Sequence, residues 1–416
     1  MQQQQDASVA AATVLADGLA SKVKTMKELR HSDSAKDRET VEAVARLGEE
    51  IRRDTRRLIV EHPVYAVAND AHSKLWHAVY YKQIELYRKS IMKHAAELKL
   101  PPSESGASEE DLVRSKTHFV KLVASYTKFL SDAMVYFQDV MLQLESEVGQ
   151  RSLTKPVLEC HLKSIQKCLL GLGDLARYKE SVSESTDKNY DVSYRYYERA
   201  AFLVPNSGNP QNQLAVLATY GQSELVAVYH YCRSVLVEFP FSLGYTNLST
   251  LFVKNERAYA QALRQAAEND AAMTTTTTTT NTMRRQVNGG GKSDIKSKVH
   301  FFMLQFIRLH ARIFDWAAGK FQLIDTSKTI FAQEISVDEF TTGVHEMLDN
   351  FDNILTSLSD ALLVRLICIC IYSVHESVPP SPSKAEGLEK TLTRNRGPRT
   401  TGESLSLVVL YSFISR

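Results

Sequence analysis

The segments YYERAAFLVP (residues 196–205) and YCRSVLVEFP (residues 231–240) superpose at an offset of about 35 residues, close to the period of a tetratricopeptide helix pair. Each copy opens with a tyrosine and closes with a proline, which ends a helix because it lacks an N–H and clashes with the preceding turn. Between them, NSGNPQNQLAVLA (residues 206–218) combines a turn with a second helix. We therefore predict that paired helices organise the chain.

Apolar residues recur at helical spacing on both sides of this region. In residues 38–59 they form one stripe, and residues 73–98 predict a second long helix. In residues 119–144 they recur mostly every three or four positions, which predicts a helix at the centre of a bundle. Residues 302–316 and 340–362 continue the pattern. Since no run alternates with a period of two, the predicted fold is all-α.

Four motifs carry a family resemblance: LGDLARY (residues 172–178), YYxxAxxLxP (196–205), GNPQNQLAVLA (208–218) and YxYCRSxxVxFPF (229–241). Together they resemble the Ever-Shorter-Telomeres family, which includes the SMG five, six and seven factors of nonsense-mediated mRNA decay. The resemblance implies a 14-3-3-like helical bundle with tetratricopeptide-like helix pairs, continuing into further antiparallel helices. It does not select a paralogue.

The resemblance and the low-complexity segments divide the chain into five parts. We expect a disordered N-terminus at residues 1–8, a 14-3-3-like and tetratricopeptide-like domain at 9–270, and a helical hairpin region at 294–376. Residues 271–293, with seven consecutive threonines and three glycines, predict a flexible loop. Residues 377–416 predict a disordered tail, and the isolated apolar end LSLVVLYSFISR suggests a truncated or misannotated terminus.

Composition excludes several classes of protein. With 416 residues, 44% of them hydrophobic and 24% charged, the chain has the make-up of a globular protein of two or three domains. Its net charge is only +2, so nucleic-acid binding would need a local basic patch. Its five cysteines fit a reducing compartment, and Cys160, His161 and Cys168 lack the paired spacing of a closed metal site. We expect neither a signal peptide nor a membrane span, because the apolar run at 362–374 is too short for a bilayer.

Arg177 and Tyr178 are the strongest candidates for a functional site. By resemblance they match the Arg-Tyr position with which the family binds phosphoserine or phosphothreonine. A planar guanidinium suits phosphate because it donates two parallel N–H bonds to a doubly charged group. The alternative is that Asp174, three residues before Arg177, forms only a helical surface ion pair with it.

The resemblance implies that a second helix supplies more cations, with Lys82 and Lys89 seven residues apart on one face. Relative to the SMG seven pattern the lysine is displaced by one residue, with Tyr81 at the expected position, and one helical residue corresponds to a rotation of about 100°. Arg88 is the alternative to Lys89. A solvated basic face, with Glu85 paired to Lys89, is the structural alternative for both lysines.

Other conspicuous side chains favour packing over chemistry. Tyrosines in the repeats recur at core spacing: Tyr194, Tyr196, Tyr197, Tyr229 and Tyr231. Three histidines stand without a nucleophile or carboxylate motif: His161, His230 and His310. The sequence also lacks a Gly-rich phosphate loop, GxSxG and HExxH, so we expect no catalysis and no cofactor or metal.

The resemblance implies a non-enzymatic adaptor of nonsense-mediated mRNA decay, located in the cytoplasm and shuttling to the nucleus. Its partner would be the phosphorylated up-frameshift RNA helicase, and it would recruit decay or phosphatase machinery. One alternative is a telomerase-associated subunit that binds nucleic acid through Arg284, Arg285 and Lys292 or through the tail arginines, Arg394, Arg396 and Arg399. Another is a structural heterodimer partner of a paralogue, with a decayed phosphate pocket.

Overall fold

The computed structural model describes residues 2–32, 37–98, 108–150, 152–277, 291–321 and 337–377. Within these ranges the chain is helical, and the β-type pairing consists of an isolated parallel bridge between Ser207 and Phe239. The all-α prediction is therefore confirmed. The chain divides into two compact units that meet in sequence between Pro205 and Asn206.

The first unit contains eight α-helices and one π-helical turn among its described residues. They are α1 (Gln2–His31), α2 (Arg38–Glu61), α3 (Pro63–Ala68), α4 (Ala71–Leu75), the π-helical turn (Trp76–Tyr81), α5 (Lys82–Glu97), α6 (Glu109–Gln150), α7 (Lys155–Ser181) and α8 (Asp191–Leu203). The predicted helix at 73–98 is thus interrupted by a turn with i→i+5 hydrogen bonding.

Helical periodicity accounts for the core of this unit. In α2 the predicted stripe buries Ile51, Leu58 and Ile59, whereas Val41 is 53% exposed. In α6 the central and C-terminal residues of the stripe are buried: Tyr126, Leu130, Phe137, Val140, Met141 and Leu144. The longest helix of the unit is therefore also a core helix, as predicted, and α7 packs along it.

The second unit begins with two helix pairs and ends with two helices of 18 residues each. Its elements are α9 (Gly208–Tyr220), α10 (Glu224–Val235), α11 (Gly244–Thr277), α12 (Gly291–Phe321), α13 (Val337–Ile354), a 3-10 turn (Leu355–Ser357) and α14 (Asp360–Ser377). Helices α10 to α14 enclose a core rich in phenylalanine, including Phe252, Phe302, Phe306, Phe340 and Phe351.

The domain bounds differ from the predicted ones in three places. Helix α1 begins at Gln2, inside the segment expected to be disordered. The division after Pro205 falls inside the predicted domain at 9–270. Helices α11 and α12 extend into both ends of the predicted loop at 271–293. Residues 278–290 and the predicted tail from residue 378 lie outside the described residues.

Helix α10 ends earlier than its proline suggests. It stops at Val235, five residues before Pro240, whereas α8 stops at Leu203, close to Pro205. The chain leaves α10 because residues 206–208 bind its exit: Phe239 N donates to Asn206 O, and Gly208 N donates to Phe239 O, each at 2.9 Å. A Cβ at Gly208 would overlap the carbonyl oxygen of Ser234, so this close approach needs glycine.

Membrane-spanning helices and metal sites were both unexpected from the sequence, and the described part of the chain bears on both. None of its helices combines the length and apolar character needed to cross a bilayer. Within the same ranges, no three side chains of histidine, cysteine, aspartate or glutamate are gathered as a metal site requires. All five cysteines are free thiols.

Candidate phosphate-binding site

Helix α7 places Arg177 and Tyr178 near its C-terminal end, and both side chains are buried, at 8% and 7% exposed. Successive residues of a helix point about 100° apart, so both can be buried only where the helix is covered on more than one side. Helix α7 meets this condition, because α6, α8 and the short α3 all pack against it.

Arg177 is held by a hydrogen-bonded triangle with Asp174 and Tyr197. Its Nη2 donates to Asp174 Oδ1 at 2.8 Å, and its Nε donates to the Tyr197 hydroxyl at 3.2 Å. The Tyr197 hydroxyl in turn donates to Asp174 Oδ1 at 2.6 Å. The pair between Asp174 and Arg177 that the sequence suggested is therefore present, but it is buried within the bundle and not at its surface.

Gly173 makes room for this triangle. A Cβ at this position would overlap the ring of Tyr197, the residue that α8 contributes. Tyr197 itself is fully buried. The glycine of the LGDLARY motif therefore lets the Tyr197 ring cross α7 at close range and bring its hydroxyl to Arg177.

Two guanidinium groups lie against the ring of Tyr178. The Cζ atoms of Arg177 and Arg88 lie 4.7 and 5.2 Å from its ring centroid, within the range of cation–π contacts. Because both distances end on one ring, the two guanidinium carbons lie no more than about 10 Å apart. Arg88 is exposed, and no carboxylate among the described residues pairs with it.

The two predicted lysines have a different neighbour. Lys82 Nζ and Lys89 Nζ lie 2.9 and 3.2 Å from the two carboxylate oxygens of Glu85. Both lysine side chains are more than half exposed, and they lower the pKa of Glu85 through these hydrogen bonds. The cation of α5 that contacts Tyr178 is Arg88, the residue that the sequence offered as the alternative to Lys89.

Burial and charge act in opposite directions on these groups. Burial raises the pKa of Tyr178, and Asp174 raises it further, while the two arginines lower it. Burial disfavours the charged form of Arg177, but Tyr197 and Asp174 outweigh it and raise the pKa of Arg177. The site therefore presents a neutral tyrosine in contact with two cations.

Tyr126 of α6 is a neighbour that sequence reasoning counted only as core. Its side chain is fully buried, and its hydroxyl has no hydrogen-bond partner among the described residues. Burial raises the pKa of Tyr126, and the positive charges of Arg88 and Arg177 partly offset this increase. Its ring stacks on that of Tyr87, with 5.1 Å between the ring centroids. The sequence did not predict this contact, because helical periodicity indicates which residues are buried and not which residues they contact.

A groove of about 870 Å³ opens elsewhere in the first unit, between α1, α2, the π-helical turn, α5 and α6. Val41, Leu86 and Val135 line it, and each is more than half exposed. Neither Arg88 nor the Arg177–Tyr178 pair lines this groove. The groove and the candidate phosphate-binding site are therefore separate features.

Two of the buried histidines, His230 and His310, have side-chain hydrogen-bond partners. His310 Nδ1 lies 2.6 Å from Ser373 Oγ, and its Nε2 lies 3.6 Å from Cys370 Sγ. His230 Nδ1 lies 2.8 Å from Gln211 Oε1. Of the five tyrosines assigned to packing, Tyr197 and Tyr231 are buried, Tyr196 and Tyr229 are half-buried, and Tyr194 is 43% exposed.

Two family models match the chain. One is described as the Est1 DNA/RNA binding domain and matches residues 193–402; the other is described as telomerase activating protein Est1 and matches residues 70–183. A crystal structure of Est1 and Cdc13 aligns with 96% of this chain and 70% of the matched chain, at a TM-score of 0.57 and 14% identity. At that identity the likeness shows a shared fold.

Two relatives illustrate how the similarity is distributed. Nonsense-mediated mRNA decay factor SMG7 of Arabidopsis thaliana is 27% identical over 387 residues, which is 85% of this chain and 35% of that protein. Telomerase-binding protein EST1A of Danio rerio is 30% identical over 233 residues, which is 56% of this chain and 14% of that protein. The chain thus spans about a third or less of the length of these relatives.

Fold and site together define an all-helical protein with a buried Arg-Tyr pair beside a second, exposed arginine. The first family model alone spans half of the chain. The chain belongs to the Est1 family, and the resemblance drawn from its motifs is confirmed.

Proposed function

We propose that this chain is a non-enzymatic adaptor of nonsense-mediated mRNA decay that binds a phosphorylated protein segment. The observation that carries the proposal is the convergence of Arg88 and Arg177 on Tyr178. A phosphate with nearly two negative charges matches two guanidiniums, and charge-assisted bonds are about twice as strong as neutral ones. The name of the SMG7 relative supports the pathway.

The proposed ligand is the phosphorylated up-frameshift RNA helicase, and the outcome is recruitment of decay or phosphatase machinery. Arg177, Tyr178 and Arg88 form the pocket, and Asp174 with Tyr197 fixes the direction of Arg177. Lys82 and Lys89, which the resemblance also implies, would have to leave Glu85 to reach the same phosphate. The proposed location is the cytoplasm, with shuttling to the nucleus.

The test is the affinity of the full chain for a phosphoserine peptide and for its unphosphorylated twin, measured by calorimetry. Only the phosphorylated peptide should bind, and Arg177→Glu should abolish binding. Because Arg177 is buried, Arg88→Gln is the second variant, since Arg88 is exposed and its replacement is less disruptive to folding. It should weaken binding about tenfold or more, the loss of one charge-assisted hydrogen bond.

The matched control is the double variant Lys82→Gln/Lys89→Gln. It removes two exposed positive charges from the same helix, and it should weaken binding less than Arg88→Gln does. A larger loss of affinity in the lysine variant would show that Lys82 and Lys89 contribute more to phosphate binding than Arg88 does. Equal binding of both peptides would exclude phosphate recognition altogether.

The other two functions have their own tests. A telomerase-associated role is supported by the name of the EST1A relative. Of its candidate residues, Arg284, Arg285 and the tail arginines lie outside the described residues, and Lys292 lies in the first turn of α12. A structural heterodimer would associate with a paralogue equally well in the wild type and in Arg177→Glu.

A further inference from the structure

Two histidine rings from neighbouring helices meet in the first unit. His94 lies in the last turn of α5, His118 lies near the N-terminal end of α6, and the two helices pack against each other. The ring centroids are 4.9 Å apart, with 45° between the ring planes. His118 is exposed and His94 is half-buried, so the pair is open to solvent.

The separation of the rings fits two imidazoles that bind one metal ion. A bond between zinc and an imidazole nitrogen is about 2.0 to 2.1 Å long, which places each ring centroid about 3.2 Å from the ion. For angles of about 90° to 110° at the ion, the two centroids are then about 4.5 to 5.2 Å apart. The observed 4.9 Å lies within this range. The two helices therefore already hold the rings at the separation that a shared ion requires.

A hydrogen bond prepares His94 as a ligand. Its Nδ1 lies 2.8 Å from the backbone oxygen of Ser90. Because a carbonyl oxygen only accepts, Nδ1 carries the proton, and Nε2 of the neutral ring keeps its lone pair. Histidines that bind metal ions almost always donate their other N–H to a carbonyl, a carboxylate or water in this way. His94 thus has both the tautomer and the support of a metal ligand.

No carboxylate competes for the two rings. Within the described residues His94 and His118 form no ion pair, and Glu97, the acid nearest to His94 along α5, lies 3.9 Å from Lys93 Nζ. A carboxylate partner would favour the protonated imidazole, whereas only the neutral ring binds a metal ion. Both rings are therefore available to an ion at neutral pH.

We propose that His94 and His118 form a binding site for a zinc ion that joins α5 to α6. Within the described residues no three possible ligands gather, so water completes the coordination and the ion exchanges with solvent, unlike the ion of a closed structural site. Zinc fits because imidazole suits zinc, copper and nickel, whereas magnesium and calcium take oxygen ligands. The ion would hold the last turn of α5 against α6.

The experiment measures the reactivity of each histidine of the full chain at about pH 7.5, where an imidazole of ordinary pKa is mostly neutral. Diethyl pyrocarbonate modifies neutral imidazole, and mass spectrometry of the peptides gives the rate at each position. At a zinc chloride concentration about ten times the dissociation constant, modification of His94 and His118 should slow about tenfold together, because the site is then mostly occupied. Magnesium chloride should not slow it. Exposed His77 is the internal reference and should react equally with and without zinc.

The variants His94→Gln and His118→Gln test whether the two rings share one ion. In each variant the remaining histidine should need about ten times more zinc, or more still, for the same protection, because the second ligand of a pair binds at high effective concentration. His77→Gln is the matched control and should leave the protection of both rings unchanged. Circular dichroism checks that each variant is folded.

Two outcomes would overturn the zinc site. One is that zinc fails to protect both histidines of the wild type. The other is that His94 or His118 is protected at the same zinc concentration when its partner is glutamine. Since no phosphopeptide enters these measurements, their result is independent of the function proposed above.

Discussion

At the scale of single residues, the candidate phosphate site depends on a glycine, because a larger residue at position 173 would displace the Tyr197 ring. Gly173 lacks a Cβ where the Tyr197 ring crosses α7, and Tyr197 supplies the hydroxyl that binds both Arg177 and Asp174. The direction of Arg177 is thus set by the contact between α7 and α8, and not by its own helix alone.

Gly173→Ala should therefore destabilise the first unit and weaken phosphopeptide binding together. The new methyl would force the Tyr197 ring away, which costs about 1 to 3 kcal/mol as overpacking and also frees Arg177 from its hydroxyl. Urea denaturation and calorimetry with the phosphoserine peptide measure the two effects. Gly18→Ala in α1 is the control, because a Cβ there meets nothing within 4 Å. The control should stabilise by up to about 1 kcal/mol through helix propensity.

The sequence was informative about this site only where a motif named a residue. LGDLARY identified Arg177 and Tyr178, and helical spacing brought Arg88, Lys82 and Lys89 to one region of α5. Spacing could not choose among them, because the choice depends on which cation meets Tyr178 and which meets Glu85. The Glu85 pairs are local contacts within α5, whereas the contact of Arg88 with Tyr178 joins helices far apart in sequence and has no local signal.

At the scale of elements, the π-helical turn offers a physical account of the one-residue displacement that the SMG seven resemblance implies for Lys82. Relative to the SMG seven pattern the lysine falls one residue late, and the turn at Trp76–Tyr81 begins six residues before Lys82. A π-helical turn holds one more residue than an α-helical turn, so it can absorb a one-residue shift without rotating the helix that follows. Within this turn His77 is exposed, whereas Val79 and Tyr80 are buried.

Deletion of His77 should therefore be tolerated. The turn would become α-helical, α5 would keep its face toward α6, and Arg88 would stay beside Tyr178. Phosphopeptide affinity should therefore stay within about twofold of the wild type, because the registers of the flanking helices are preserved. Deletion of Leu86, which is 55% exposed in regular α-helix, should rotate Arg88 by about 100° relative to Ile84 and abolish binding. Calorimetry compares the two, with circular dichroism confirming helix content. If both deletions abolish binding, the turn does not absorb register.

Helix bounds were predictable where local chemistry sets them. Pro205 lies just beyond the end of α8, as the sequence indicated, and Pro63 begins α3 directly after His62. Pro240 failed as a guide to the end of α10, because the chain exit there is bound by residues 206–208. This pairing joins residues about 30 positions apart, so the local sequence around Pro240 does not predict it.

At the scale of the whole molecule, the sequence predicted the class of fold better than its division. Periodicity and the repeat predicted an all-α chain, and the structure agrees. The domain that the resemblance implies at residues 9–270 spans the point after Pro205 where the compact units divide. A repeat records similar helices, and it does not record which neighbours those helices pack against.

Buried histidines in both units make the stability of the protein dependent on pH. Burial lowers the pKa of His72, His230 and His310 to about 3, from an ordinary value of 6.5. In the unfolded chain these groups take up protons as the pH falls below 6.5, while in the folded chain they stay neutral. Stability is therefore full above about pH 6.5 and falls as the pH drops toward 3, by about 1.4 kcal/mol per unit for each histidine.

The His72 contribution can be measured by itself, because Trp76 reports on the same unit. In a Trp316→Phe background, urea denaturation followed by Trp76 fluorescence at about pH 7.5 and about pH 5.5 gives the loss of stability on acidification. This pH window lies above the ordinary pKa of carboxylates, so histidines dominate the change in stability within it.

On acidification, His72→Gln should lose about 1 kcal/mol less stability than the wild type. His77→Gln replaces an exposed histidine five residues away and should match the wild type, because an exposed side chain has similar surroundings in the folded and the unfolded chain. Equal pH dependence in all three proteins would mean that His72 takes up a proton in the folded chain, which its burial without a hydrogen-bond partner opposes.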